Sequence, residues 1–205
     1  MGWPVALLRL PVRARDGDTT PVSSDVLTVE IGSLEENDVS TALDTVRGQA
    51  GRIACVIYAV APQGQLAATP PAATSVRTPF LLAKHAARDL NAAAAAGWAG
   101  FLTVARLDGE LGLTGELPGG VDGLSLAGLP GLSKTLRLEW PQVACRAVDL
   151  APDLPVDVAA RLLVGEVLDP DRRITEVGWS ERGRVTIEAV SPVQASGSVG
   201  RRDGV

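Results

Sequence analysis

The sequence predicts an α/β fold in which a mostly parallel sheet is flanked by helices, as one domain over residues 1–190. Strand and helix signals alternate along the chain, which is the pattern of such folds. The run IACVIYAVA is continuously apolar, as expected of a parallel strand that is buried on both faces. The 205 residues are 46% hydrophobic, which is enough for one sizeable core. Residues 191–205 are rich in Gly and Ser and are predicted to form a flexible tail.

The predicted strands are short and rich in β-branched and apolar residues. They cover residues 3–10, 26–32, 53–61, 101–105, 143–150, 174–179 and 184–190, the last two joined by the turn SERG. A Pro-, Ala- and Thr-rich loop is predicted to follow the third strand, up to about Ser75.

The predicted helices cover residues 33–51, 78–97, 123–140 and 156–168. The first has Ser33 and Glu36 at capping-box spacing. The second places Pro79 in its first turn and Gly97 just beyond its end.

Composition excludes several classes of partner. The net charge is −5 and the pI is near 4.9, whereas a nucleic-acid footprint needs clustered Lys and Arg. No apolar run approaches the length of a membrane span, and the first residues lack the features of a secretory signal. We therefore expect a cytoplasmic protein that binds neither nucleic acid nor membrane. Cys55 and Cys145 lie within apolar strand segments and fit no metal or redox spacing, so buried thiols are predicted.

Four segments, in their order and spacing, resemble the short-chain dehydrogenase/reductase family: GRIACVIYAVAP, PFLLAKHAARDL, FLTVARLDG and GLSKTLRLEWPQVACRAVDLAP. More narrowly, the last two resemble ketoreductase regions of bacterial polyketide synthases and polyunsaturated fatty acid synthases. The resemblance covers roughly residues 3–190 and is strongest over residues 101–152. It implies a Rossmann-like, doubly wound sheet.

The family's cofactor-binding features have no counterpart here. The family begins with a strand and a Gly-rich turn that holds the pyrophosphate. This chain has no GxxxGxG, and residues 3–10 align with the family's second strand. Gly32 and Ser33 stand where the family places an Asp beside the adenine, and residues 58–61 replace its Asn-Asn-Ala-Gly turn. The resemblance thus implies a fold truncated at its N-terminus, without the first strand, helix and Gly-rich turn, that binds no cofactor.

The family's catalytic positions are also altered. Alignment places Asp122 at the position of the proton-donating Tyr and Leu126 at that of the Lys. Arg106 stands at the position of the Ser that polarises the carbonyl, and Ser75 at the polar position on the preceding helix. These side chains cannot replace a Tyr, Lys and Ser in proton transfer. No catalytic, cofactor-binding or metal residue is predicted.

Other polar residues are predicted to be structural. Lys134 lies two turns beyond the family's Lys position and is interpreted as a solvated or helix-end cation. His85 is the sole imidazole and is interpreted as a surface residue because no carboxylate or nucleophile lies at a readable spacing. Loop and cap roles are predicted for a set of carboxylates near prolines: Asp149, Asp153, Glu166, Asp169 and Asp171.

The absent first strand leaves a gap in the expected sheet. In the family's strand order it lies between the strands at residues 3–10 and 53–61. Three hypotheses describe what closes the gap: a strand from another chain, the C-terminal strand at 184–190 folded back, or direct pairing in a rearranged sheet. If the chain is an excised piece, the first strand is instead expected to lie upstream of it.

Two functions follow from the resemblance. The first is a non-catalytic structural subdomain that supports a ketoreductase acting on β-ketoacyl intermediates in polyketide or fatty-acid assembly. NADPH would then be bound by a catalytic partner half, and other synthase domains would be further partners. The alternative is a divergent NADP(H)-dependent reductase in which Arg106 contacts a phosphate. Association with a second copy of the chain is left open by the sequence.

Overall fold

The computed structural model describes residues 3–11, 22–60, 72–114 and 125–188, with side chains of α2 described from Val76 onward. The predicted tail, residues 191–205, lies outside this part. The strands are β1 (Ala6–Arg9), β2 (Leu27–Glu30), β3 (Cys55–Ala59), β4 (Gly100–Ala105), β5 (Ala144–Leu150), β6 (Glu176–Ser180) and β7 (Gly183–Thr186). The helices are α1 (Glu36–Ala50), α2 (Ala72–Ala95), α3 (Gly128–Glu139) and α4 (Val156–Leu168), and a 3-10 helix at Ser125–Ala127 precedes α3.

The strands form two separate sheets. One contains β1 and β2 in parallel, and the other has the order β3-β4-β5-β6-β7. In the larger sheet every pairing is parallel except that of β6 with β7, which is antiparallel. The predicted α/β class with a mostly parallel sheet is therefore confirmed.

The larger sheet is covered on both faces at β4 and β5. Phe101 and Cys145 belong to a core cluster with buried residues of α1, α2 and α3. On the same face, the Thr103 and Ser133 hydroxyls lie 3.2 Å apart and are buried between β4 and α3. Leu102 and Val148, which alternate with that set, pack with residues of α4 in a second cluster. This double burial explains why the sequence of these strands is almost continuously apolar.

Two helix starts differ from the predicted ones. The N-cap of α1 is Glu35 and not Ser33. The Ser33 hydroxyl instead donates to Asp38 and accepts from the Glu35 amide. Helix α2 begins at Ala72, so Pro79 lies inside the helix and not in its first turn. There its ring removes one amide donor from the helical ladder, while the alanines elsewhere in the helix retain high helix propensity.

Two of the three hypotheses for the gap are wrong. Strand β7 pairs with β6 at the far edge of the larger sheet, so the C-terminal strand does not fold back between β1 and β3. Direct pairing does not occur either, because β1 pairs with β2 and belongs to the other sheet. What remains is a strand from outside the residues that the structure describes, either from another chain or from upstream polypeptide.

None of the described helices combines the length and the hydropathy that a membrane span requires.

Candidate functional site

A cavity of about 370 Å³ lies at the carboxyl ends of β4 and β5, the edge where ligands bind in open α/β sheets. Its walls include Asp149 on β5 and Leu107 and Leu111 in the loop after β4. Asp149 is 4% exposed. Its two carboxylate oxygens accept hydrogen bonds from the backbone amides of Leu107, at 2.8 Å, and Leu111, at 2.9 Å. The carboxylate thus fixes the loop that forms this wall.

The neighbouring Asp108 has a different environment. Partial burial would raise the pKa of Asp108. Hydrogen bonds from Thr114 and from the amides of Gly112 and Glu110 nevertheless hold this pKa well below its usual range. Burial, together with the adjacent Asp108, raises the pKa of Asp149 to about 6, despite the two amide hydrogen bonds it accepts. The two carboxyls therefore titrate in different pH ranges.

The structure places the residues at the family's catalytic positions in unrelated contacts. Arg106 donates to the Leu154 carbonyl at 2.7 Å and so ties the end of β4 to the loop before α4. Leu126 lies on the 3-10 helix, is 5% exposed and packs in the main core. Asp122 lies outside the described residues, and so does the side chain of Ser75, whose backbone is in the first turn of α2. That these positions carry no catalytic function stays a prediction.

Two further polar candidates each lie beside a carboxylate. Lys134 pairs with Glu176 on β6 at 3.2 Å, at the side of the cavity. His85 is half-buried, and its ring lies 3.0 Å from a Glu36 oxygen, so the expectation that no carboxylate lies near it is wrong. The partner was missed because it is 49 residues away in the sequence and is brought close only by the packing of α1 on α2.

A buried charge cluster joins β5, α4 and β7. The Glu166 carboxylate contacts Arg146 at 2.5 Å and Arg184 at 2.7 Å, and accepts from the Trp179 indole at 2.9 Å. Asp169 also pairs with both arginines. Burial by itself would raise the pKa of Glu166, but hydrogen bonds from Arg184 and Trp179 lower this pKa below its ordinary value. The loop or cap role predicted for Glu166 is wrong, because α4 turns its side chain toward two arginines on distant strands.

A second cavity of about 530 Å³ separates β1 from β3. It is lined by the consecutive residues 50–60 and by most of residues 3–10, with further walls from α1 and α2. Cys55 and Tyr58 contribute to it, and burial raises the pKa of each to about 12. The Cys145 thiol, inside the core, has a pKa raised to about 12 by the same cause. These groups remain protonated at neutral pH.

Within the described residues, no group of three or more His, Cys, Asp or Glu side chains is arranged to hold a metal ion.

Comparison with solved structures defines the class of fold. The chain aligns with an apo SCOR enzyme from Clostridium thermocellum at a TM-score of 0.54 and 10% identity, covering 74% of this chain and 70% of that one. It aligns with a metagenomic short-chain oxidoreductase in complex with NADP at 0.51 and 18% identity, covering 74% and 72%. At these identities the likeness concerns the fold alone, which is Rossmann-like, as in short-chain dehydrogenases/reductases.

Comparison of sequences gives a narrower likeness. The chain is 40% identical over 117 residues to one of the subunits of the polyunsaturated fatty acid synthase of a Thraustochytrium species. That alignment covers 54% of this chain and 4% of its relative, so the chain spans only a small part of the synthase polypeptide. No protein-family profile matches the chain. The resemblance to a short-chain dehydrogenase/reductase-like region of such a synthase is therefore confirmed.

Proposed function

We propose that the chain is a non-catalytic structural subdomain that supports a ketoreductase acting on β-ketoacyl intermediates in polyketide or fatty-acid assembly. It works in the cytoplasm, beside a catalytic half that binds NADPH and beside other synthase domains. The observation that carries the proposal is the cavity between β1 and β3. In the doubly wound fold, the strand and Gly-rich turn that cradle the pyrophosphate belong at this place.

The contacts at the family's catalytic positions support the same proposal. A ketoreductase needs a hydroxyl that donates a proton and a cation that lowers the pKa of that hydroxyl. Arg106 is engaged with a backbone carbonyl, and Leu126 is an alkyl group in the core. The relative's description as part of a polyunsaturated fatty acid synthase supports the assignment to acyl-chain assembly.

Titration of NADPH into the chain, followed by nicotinamide fluorescence and calorimetry, tests the proposal. We expect no binding up to millimolar NADPH, with the metagenomic oxidoreductase that was solved with NADP as the positive control. Binding at micromolar NADPH would overturn the proposal in favour of a divergent reductase. In that case Arg106→Ala should abolish binding, whereas Arg161→Ala, on the exposed side of α4, should leave it unchanged.

A further inference from the structure

The cavity between β1 and β3, called here the interstrand cleft, is bounded by two strand edges. Strand β1 pairs only with β2 and strand β3 only with β4, so each has one unpaired edge among the described residues. Consecutive residues line the cleft, from Cys55 to Val60 and from Ala6 to Leu8, although the side chains of neighbouring residues point to opposite faces of a strand. A cavity lined by consecutive residues of a strand lies against its edge and not against one face.

The backbone groups that face the cleft can be identified from the pairing on the other side. Alternate residues of a strand direct their N–H and C=O to opposite neighbours. The Val60 amide bonds to the Val104 carbonyl and the Ala54 carbonyl accepts from Gly100, so even-numbered residues of β3 face β4. Cys55, Ile57 and Ala59 therefore face the cleft.

On β1 the same argument selects Leu8 and Ala6. The Arg9 carbonyl accepts from the Ile31 amide at 2.9 Å, which directs Arg9 toward β2 and its neighbour Leu8 toward the cleft. Donors and acceptors thus point into an apolar cavity from both sides. An unpaired strand edge is a template for a further strand, so a ligand that offers alternating N–H and C=O groups on two edges fits the cleft better than an alkyl chain.

The walls determine the side chains of such a ligand. Leu43 and Val46 of α1 line one face of the cleft, so alternate residues of an inserted strand must be apolar. Arg52 lies at the amino-terminal end of β3, lines the cleft and has no ion-pair partner among the described residues. An acidic residue at the start of an inserted parallel strand would complement this charge.

The remaining segments of the chain do not offer this sequence. In residues 12–21, 61–71, 115–124 and 189–205, every acidic residue is followed within three positions by glycine or proline, so none of them begins an uninterrupted strand of four to five residues. Proline cannot donate to a ladder and is excluded from central strands. By contrast, the similar region makes up 4% of the synthase relative, so that protein contains a long polypeptide outside it.

We propose that the interstrand cleft is the docking site for one β-strand of the catalytic reductase half, inserted parallel to β1 and β3. The strand spans four to five residues, the length of the two edges that it joins. The result is a continuous sheet in the order β2-β1-strand-β3-β4-β5-β6-β7, which is the strand order of the doubly wound fold. The identity of the partner rests on the proposed function, whereas the docking of a strand does not.

A synthetic peptide tests the docking site. The probe is the acetylated, amidated peptide DTVVIVTK, which has an acidic start, β-branched residues and no proline. The control is DTVPIVTK, in which proline removes a central donor. Amide hydrogen exchange of the chain is measured by NMR with each peptide at millimolar concentration. We expect DTVVIVTK to slow exchange at Leu8, Ile57 and Ala59 at least tenfold, and to leave Val177 in β6 unchanged.

A variant pair tests the position. Ile57 is 44% exposed at the cleft, and lysine on a strand edge opposes the addition of another strand. Ile57→Lys should reduce the affinity for DTVVIVTK at least tenfold. Leu138→Lys, which replaces an 84% exposed residue on α3, should bind like the unchanged chain. Fusion of DTVVIVTK to residue 1 through a flexible Gly/Ser linker raises its effective concentration and should reproduce the protection even if free binding is weak.

Each opposing outcome has a distinct meaning. Lack of protection in both the mixture and the fusion overturns the proposal. The proposal is also overturned if the three amides are already protected in the chain alone at every concentration, because the edges would then be paired without a ligand. Protection that appears only when the chain dimerises would overturn it as well. So would a result in which dodecanoate, used as an alkyl-chain probe, protects the amides and the peptide does not. Micromolar NADPH binding together with peptide docking would overturn the proposed function and leave the docking site intact.

Discussion

Two regions of the molecule differ in how completely their strands are paired: the interior of the larger sheet, called here the closed end, and the edges of β1 and β3, called the open end. At β4, β5 and β6, each strand has neighbours on both sides, and Phe101, Val148 and Val177 are at most 2% exposed. At β1 and β3, each strand has one neighbour among the described residues, and a cleft of about 530 Å³ lies between them. Because folding free energy comes mainly from buried apolar surface, the closed end supplies most of the stability, whereas the open end carries the proposed docking site.

The closed and open ends also differ in how their charged side chains are paired. The closed end contains the cluster of Arg146, Glu166 and Arg184, in which each buried charge faces an opposite one. The open end has Arg52 without a partner in the described part of the chain, and Trp3, which is 61% exposed although it stacks on Trp98. A comparison of substitutions at the two ends can therefore test the difference.

The largest effect is expected at the closed end. Glu166→Ala leaves Arg146, whose side chain is 4% exposed, and Arg184 without their main partner. Removal of one member of a buried ion pair costs about 3–5 kcal/mol of unfolding free energy, because a desolvated charge remains. Urea denaturation measures the loss. Glu181→Ala, in the exposed turn between β6 and β7, is the control and should change stability by less than about 0.5 kcal/mol. A loss below about 1 kcal/mol for Glu166→Ala would contradict a structural role of the cluster.

An intermediate effect is expected for Asp149 and depends on pH. Its pKa in the folded chain is about 6, above the ordinary value of 3.8. The folded state therefore holds the proton more tightly, and this contribution to stability is complete below the ordinary pKa and is lost as pH rises through about 6. Between pH 4 and pH 7, the unfolding free energy of the unchanged chain should fall by about 1–3 kcal/mol more than that of Asp149→Asn.

Denaturation curves across this pH range make the measurement, with Asp153→Asn as the control because Asp153 is exposed. Parallel pH profiles for the unchanged chain and Asp149→Asn would show that burial does not shift this carboxyl.

The smallest effect is expected at the open end. Trp3→Ala removes a stack with Trp98 whose ring centroids lie 5.2 Å apart, and should cost about 1 kcal/mol or less because Trp3 is largely exposed. Trp140→Ala removes an edge-on contact with the buried Phe101 and should cost at least twice as much. Fluorescence-detected unfolding of the two variants makes the comparison, and equal losses would mean that the two ends are equally well packed.

Much of the fold can be predicted because its signals are local. All seven predicted strands and four predicted helices are present, since apolar runs, helix propensity and turn residues act over short stretches of chain. The differences arise where several local signals compete. Ser33 satisfies the spacing of a capping box, but its hydroxyl pairs with Asp38 and the helix begins later. Pro79 suits the first turn of α2, but the alanines before it extend the helix to Ala72.

The candidate sites depend more on tertiary contacts. The alignment with a known family assigns Arg106 and Leu126 to catalytic positions, and from there the sequence indicates which chemistry they cannot perform. It does not indicate that Arg106 would bind the Leu154 carbonyl, 48 residues away. It also gives no sign that Glu36 would approach His85, because two helices must pack before the side chains meet.

By itself, the sequence determined the order of strands and helices, the α/β class and the absence of a Gly-rich turn, because these depend on residue type and local spacing. Through the resemblance, it also indicated that the family's first strand has no counterpart in residues 3–190. Only the tertiary structure decided how the described strands pair, with β1 held by β2, β7 bound to the opposite edge, and the interstrand cleft left between β1 and β3. The physical reason is that strand pairing joins residues far apart in sequence, so it is selected by the packing of the whole chain and not by any one segment.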